Sequence, residues 1–202
     1  MKVILVTLIF LLVSSQAFSA LLSPRTFNKI NDIQENINEL SSLENKEVVQ
    51  EIEDSLYELA EDLNGNALGL ALTYQTHAQL KVKQEDYKGA SELLLNAISQ
   101  KDLDSSTQLQ LTLFLAQVYL PLEKYQEIAA LLEAAVKKKE YKITAPVYAL
   151  LAASYYYLSD FKSGLPHIVK AIDISDKQKE PWLQMAFSGY YHKKDYQEAL
   201  KY

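Results

Sequence analysis

The feature that most constrains the fold is a spacing that recurs through the chain. Phe161 has Ala152 nine residues before it, Ala171 ten residues after it and Asp160 directly in front. Tyr87 repeats this with Ala78, Ala97 and Asp86, and Tyr125 repeats it with Ala116, Ala135 and, in place of the aspartate, Lys124. The aromatics Tyr87, Tyr125, Phe161 and Tyr196 stand 38, 36 and 35 residues apart, a period that belongs to stacked helical pairs. Two antiparallel helices approach closely only where each presents a small side chain, and Ala152 and Ala171 meet that need. The aromatic at the turn fills the gap where the helices splay. Tyr148, Leu151 and Tyr155, at i, i+3 and i+7, form the buried stripe of the first helix.

On these residues the chain resembles the tetratricopeptide repeat (TPR). Tyr148, Leu151, Ala152 and Tyr155 fall on the first half of that family's pattern and Gly164, Ile168 and Ala171 on its second, while Asp176 stands where Pro is usual. The resemblance implies an all-α fold, a right-handed TPR solenoid of antiparallel helix pairs. Residues 66–202 then hold three full repeats and a shortened fourth, and residues 20–65 an atypical helix pair.

That first pair reads from Ser23-Pro24, an N-cap followed by Pro at the first helical position. Phe27, Ile30, Ile33/Gln34, Ile37 and Leu40/Leu43 give one apolar stripe, and Val48/Val49, Ile52, Leu56, Leu59 and Leu63 the next. Glu47, Glu51, Asp54, Glu58 and Glu61/Asp62 make the opposite face of the second helix acidic; a straight helix face lacks the sharp Gly turn of a calcium loop, so it reads as solvated. Helices are expected over about 67–84, 87–100, 106–121 and 125–139, with the residues between repeats in longer loops or overhanging ends. The fourth unit starts at Pro181-Trp182; in it Ala186 and Phe187 compete for the small position. Its second helix is cut after about one turn, so the natural chain is expected to continue.

Residues 1–19 read as a cleaved signal peptide: Lys2, the apolar run Val3–Val13, then Ser15/Ala17 or Ala17/Ser19 as small pairs before the cut. The run is shorter than the roughly 20 apolar residues of a membrane span, so no stable span is expected after cleavage. The expected location is periplasmic, with secretion the lesser alternative. There is no cysteine, hence no disulfide and no lipid attachment through one. Removal of the signal takes only Lys2 among charged residues, which leaves 19 basic against 26 acidic, a net −7 that disfavours nucleic acid. Lys137-Lys138-Lys139 sits where cations suit a helix C-terminus.

Five Gly and five Pro in 202 residues leave no Gly-rich phosphate cradle. His77, His167 and His192 fall in different repeats with no ligand pairing, His77 at a buried Leu-type position where a hydrogen-bonded core imidazole is expected. No nucleophile elbow or zinc-protease helix is present. The reading is therefore no enzyme, no cofactor and no metal.

In TPR arrays, function lies on the concave face lined by the first helices. Counted from the turn aromatics, that face carries Gln75 and Gln79 in repeat one and Gln110, Phe114 and Gln117 in repeat two. Repeats three and four add Tyr156 and Tyr157, then Gln184, Tyr191 and His192. Amides pair with a peptide backbone and tyrosines give contact area at low entropic cost, so these ten residues are the candidate peptide groove. Only Lys83 is basic on that face, so the family's clamp for a terminal carboxylate is absent.

Leu22-Ser23-Pro24-Arg25-Thr26-Phe27, Leu165-Pro166, Pro181-Trp182-Leu183-Gln184, Tyr190-Tyr191 and Lys194-Asp195-Tyr196 also resemble the periplasmic TPR proteins encoded beside TonB, ExbB and ExbD genes. That resemblance implies a non-catalytic protein–protein interaction scaffold, accessory to TonB-type energy transduction and iron uptake, with a TonB/ExbB/ExbD-system protein as partner. The alternative is a docking arm of a longer enzyme or polymer-export or secretion component whose working domain lies beyond residue 202.

Overall fold

A computed structural model describes residues 22–40, 45–177 and 179–202; the expected signal peptide and Leu43 lie outside the described residues. Ten helices occur among them: α1 (Pro24–Glu39), α2 (Lys46–Asp62), α3 (Ala67–Lys83), α4 (Tyr87–Ile98), α5 (Ser105–Tyr119), α6 (Tyr125–Lys137), α7 (Ala145–Tyr157), α8 (Phe161–Asp173), α9 (Glu180–His192) and α10 (Tyr196–Ala199). The chain divides into two compact units between Leu103 and Asp104.

In the first unit each helix start has a local cause. Ser23 Oγ accepts the Thr26 amide at 3.1 Å and Pro24 supplies the first helical φ. Asn45 caps α2 through the Val48 amide, and Gly65 at φ +91° turns the chain into Asn66, whose side chain takes the Gly69 amide at 2.9 Å. The core joins Ile30, Ile33 and Ile37 of α1 to Ile52, Leu56 and Leu59 of α2 and Leu72 and Leu80 of α3. On α2, Glu47, Glu51, Asp54, Glu58, Glu61 and Asp62 are all exposed.

The second unit stacks α5 with α6, α7 with α8 and α9 with α10. Asp104, directly before α5, caps it through the Ser106 and Thr107 amides at 2.8 and 3.0 Å. Ala152 and Ala171 are fully buried, as are Ala116 here and Ala78 and Ala97 in the first unit; a larger side chain at any of them would push paired helices apart. In the last pair Ala186 takes the buried place at 0% exposure, and Phe187 is 43% exposed.

The turns at Tyr87, Tyr125, Phe161 and Tyr196 are built alike. The residue two before the turn aromatic is left-handed: Glu85 (φ 61°), Glu123 (55°), Ser159 (61°) and Lys194 (62°). The amide after it reaches back to the carbonyl five residues earlier, as in Asp86 to Lys81, Lys124 to Tyr119, Asp160 to Tyr155 and Asp195 to Tyr190. This is the Schellman ending, which usually takes Gly at the left-handed position; none of the four is Gly. Asp86, Asp160 and Asp195 then cap the following helix with their carboxylates, whereas Lys124 makes no side-chain cap bond.

Candidate functional site

In the first unit the expected groove face of α3 is closed. Gln75 is only 7% exposed, Gln79 accepts a hydrogen bond from Gln34 Nε2 of α1 at 3.3 Å, and Lys83 Nζ donates to the Ile37 and Asn38 carbonyls of α1 at 2.6 and 3.4 Å. Gln75 and Gln79 therefore do not line an open surface. The apolar stripe of α1 shares one buried core with Leu72 and Leu80, and beside it Gln79 and Lys83 of α3 bond to α1.

On the other side of α3, Lys81 Nζ meets Glu53 Oε1 of α2 at 2.6 Å and Gln84 donates to the same oxygen. Burial pushes the Glu53 carboxyl up, but hydrogen bonds from Lys81 and Gln84 outweigh it and hold the group below its usual value. His77 is buried, as its position required, but not hydrogen-bonded as expected: its Nε2 has no partner. Its ring instead stands edge-on to Tyr57 at 5.1 Å.

In the second unit the candidates separate into braces and surface. Tyr156 is a brace. Its hydroxyl donates to the Met185 carbonyl at 2.7 Å, its ring meets Phe161 at 5.0 Å and 78°, and burial pushes its hydroxyl up to about 12. It lies over two glycines: a Cβ on Gly164 would come within 2.6 Å of its ring, and one on Gly189 would collide with its hydroxyl. Phe114 is buried among the core side chains. Neither belongs to an open groove, because the interior between helices gains more from a large ring than a solvated face does.

Tyr157, by contrast, is 53% exposed and Tyr191 55%; Gln184 and His192 are exposed, and Gln110 and Gln117 half-buried. Tyr157 lies flat on the turn ring of Tyr125, 4.3 Å apart at 6°. His192 lies flat on the next turn ring, Phe161, at 3.9 Å and 6°. Each turn aromatic in these two pairs thus supports the ring that ends the following first helix. Sequence spacing identified the turn rings as plugs but missed this second role. The signal was available in Tyr157 and His192 occupying one repeat position. Tyr191 also meets Phe187, His192 and Tyr196, so the end of α9 carries a joined aromatic surface.

A separate polar cluster links α6, α7 and α8. Glu133 Oε1 accepts from the Tyr155 hydroxyl at 3.3 Å and lies 2.7 Å from His167 Nε2, while Lys137 sits 3.3 Å from Oε2. Burial raises the Glu133 carboxyl and the hydrogen bonds from Lys137 and His167 lower it, with the lowering dominant. Among the described residues no three His, Asp or Glu side chains are gathered as a metal would need, and no helix is long and apolar enough to cross a membrane.

No family model matches the sequence, and no curated protein does. Solved structures do match. A double mutant of RS-1 MamA is similar at 18% identity, over 86% of this chain and 88% of that one, with a TM-score of 0.64. The fold is TPR-like. MamA (residue 41 to its end) from Desulfovibrio magneticus RS-1 agrees at 18% identity, 86% and 90% coverage and a TM-score of 0.60. TPR-like repeats of a Podosopora anserina putative kinesin light chain agree at 17%, 88% and 90%, with a TM-score of 0.59. Identity this low speaks for the fold alone.

Proposed function

We propose that this chain is a non-catalytic interaction scaffold of the periplasm that holds an extended, uncharged peptide segment on the first-helix face of its second unit. One observation carries the reading: the positions there that are exposed or half-buried, Gln110, Gln117, Tyr157, Gln184, Tyr191 and His192, are amides, phenols and one imidazole, with no Lys, Arg, Asp or Glu among them. Amides can pair with a peptide backbone whatever its sequence, and phenol rings already held by a flat neighbour lose little freedom on binding. Export rests on Lys2, the apolar run that follows it and the small residues up to Ser19. The phrases shared with proteins encoded beside TonB, ExbB and ExbD make a TonB-system protein the first partner to try.

The test is a binder obtained by crosslinking in the periplasm, then titrated by calorimetry against Gln117→Ala combined with Tyr157→Ala. Weakening by about 2 kcal/mol or more is expected, on the scale of interface hot spots. The fold should persist, since Tyr157 is exposed and Gln117 lies outside the buried core. Wild-type affinity in the folded double variant moves the site to another face. An exported chain that retains Met1 removes the signal-cleavage part of the proposal.

A further inference from the structure

Helix α1 sits on α3 in a way the second unit does not repeat. It packs more extensively on α3 than on α2, its neighbour in sequence, whereas in the second unit the backbones of α5 and α7, and of α7 and α9, approach less closely, with the Tyr156 side chain bridging α7 to Met185 and Gly189 of α9. Its side-chain-mediated hydrogen bonds to other helices go to α3: Gln34 to Gln79 and Lys83 to the carbonyls of Ile37 and Asn38. Towards α2 it has the exposed pair Lys29–Asp62 at 3.9 Å. Its last half and the first half of α2 are held apart by a cleft of about 470 Å³ lined by residues that include Ile33, Asn36, Leu40, Val48 and Ile52. There is no basic residue in its own last turn, and Lys83 supplies the cation that a helix C-terminus favours.

The residues of α3 that α1 touches, Gln79 and Lys83, with Leu72 in the core the two helices share, are among those the repeat register assigns to the ligand-facing stripe. We propose that α1 is an intramolecular stand-in for a partner, and that the first unit takes an amphipathic helix which displaces it. The occupant defines the partner's chemistry. It carries Ile or Leu at i, i+3 and i+7, as in Ile30, Ile33 and Ile37, an amide at i+4 as in Gln34, and an uncapped last turn whose carbonyls accept from Lys83. This is helix-in-groove recognition, with the groove closed until competition opens it. The apparent affinity for a partner falls by the fraction of molecules in which α1 is seated.

The inference rests on the first-helix face being ligand-facing, but it concerns α1 and α3 alone, so its failure leaves the face of Gln117 and Tyr157 unaffected. The experiment uses the full chain and a fluorescent synthetic peptide of residues 22–40. Ile33→Asp with Ile37→Asp in the chain unseats its own α1 and leaves α3 intact. This variant should bind the peptide at least about ten-fold more tightly than the wild type, and Lys83→Ala added to it should reverse most of the gain. A folded variant that takes up no more peptide than the wild type overturns the proposal. If the variant loses its fold, hydrogen exchange of the unaltered chain decides. Exchange of α1 amides through an opening that leaves α3 and α4 protected sustains the displaceable helix; exchange of α1 and α3 together at one rate makes α1 a fixed part of the core and overturns it.

Discussion

At the scale of single residues, the informative positions are those where a polar or small side chain sits under cover. His77 is 3% exposed with Nε2 unpartnered. Burial, with Lys81 adding and Glu53 opposing, holds its imidazole below the usual 6.5. The unfolded chain therefore takes up this proton first as pH falls. The contribution of His77 to stability is complete above about pH 6.5 and declines below it, down to the folded-state value. His77→Leu should raise the stability at pH 7.5 by about 1–2 kcal/mol, since it removes an unsatisfied buried group, and should flatten the loss between pH 7.5 and 5.5. Denaturant titration at the two pH values checks both. The burial of His77 was legible from the repeat register, but its missing partner was not, because no pattern fixes what a neighbouring helix presents. Tyr156 shows the same limit: register gave it a groove position, and the glycines at 164 and 189 that make room for it stand on other helices. Gly189→Ala should cost about 1–3 kcal/mol, the range for overpacking a filled site, and a smaller loss on thermal unfolding means that the Tyr156 hydroxyl can leave Met185 freely.

At the scale of the element, helix boundaries and pairing followed closely from the sequence because caps, turn rings and alanines act locally. Ser23-Pro24, Asn64-Gly65-Asn66, Asp86 and Asp160 stand where the chain turns or a helix begins. The turn conformation itself was hidden. Glu85, Glu123, Ser159 and Lys194 share a left-handed φ but no chemistry, so no residue type marks the position. A side chain in that conformation costs about 1–2 kcal/mol, offset in part by the greater freedom of Gly in the unfolded chain. Ser159→Gly should accordingly raise stability by about 0.5–1 kcal/mol, with no change in helix content. Ser159→Val should lower it; calorimetric unfolding of both variants measures the pair of effects.

At the scale of the whole molecule, the repeat period specified the class of fold, and the similarity to MamA spans 86% of the chain. The face used for recognition was only half legible. Repeat register gives one rule for every first helix, yet α1 covers that face on α3, while Tyr157 and Tyr191 stay open in the second unit. The rule cannot see this because the seat of α1 depends on long-range packing of Ile30, Ile33 and Ile37. The difference between the two faces is the central claim, and site-specific photocrosslinking in cells that make the chain tests it most directly. A photoreactive residue placed singly at Tyr157, at Gln79 and, as an outer-face control, at Glu58 should give a discrete adduct from position 157, none from position 58, and one from position 79 only in a chain whose α1 is unseated. Equal adducts from all three positions, or adducts from Glu58 alone, would contradict the account.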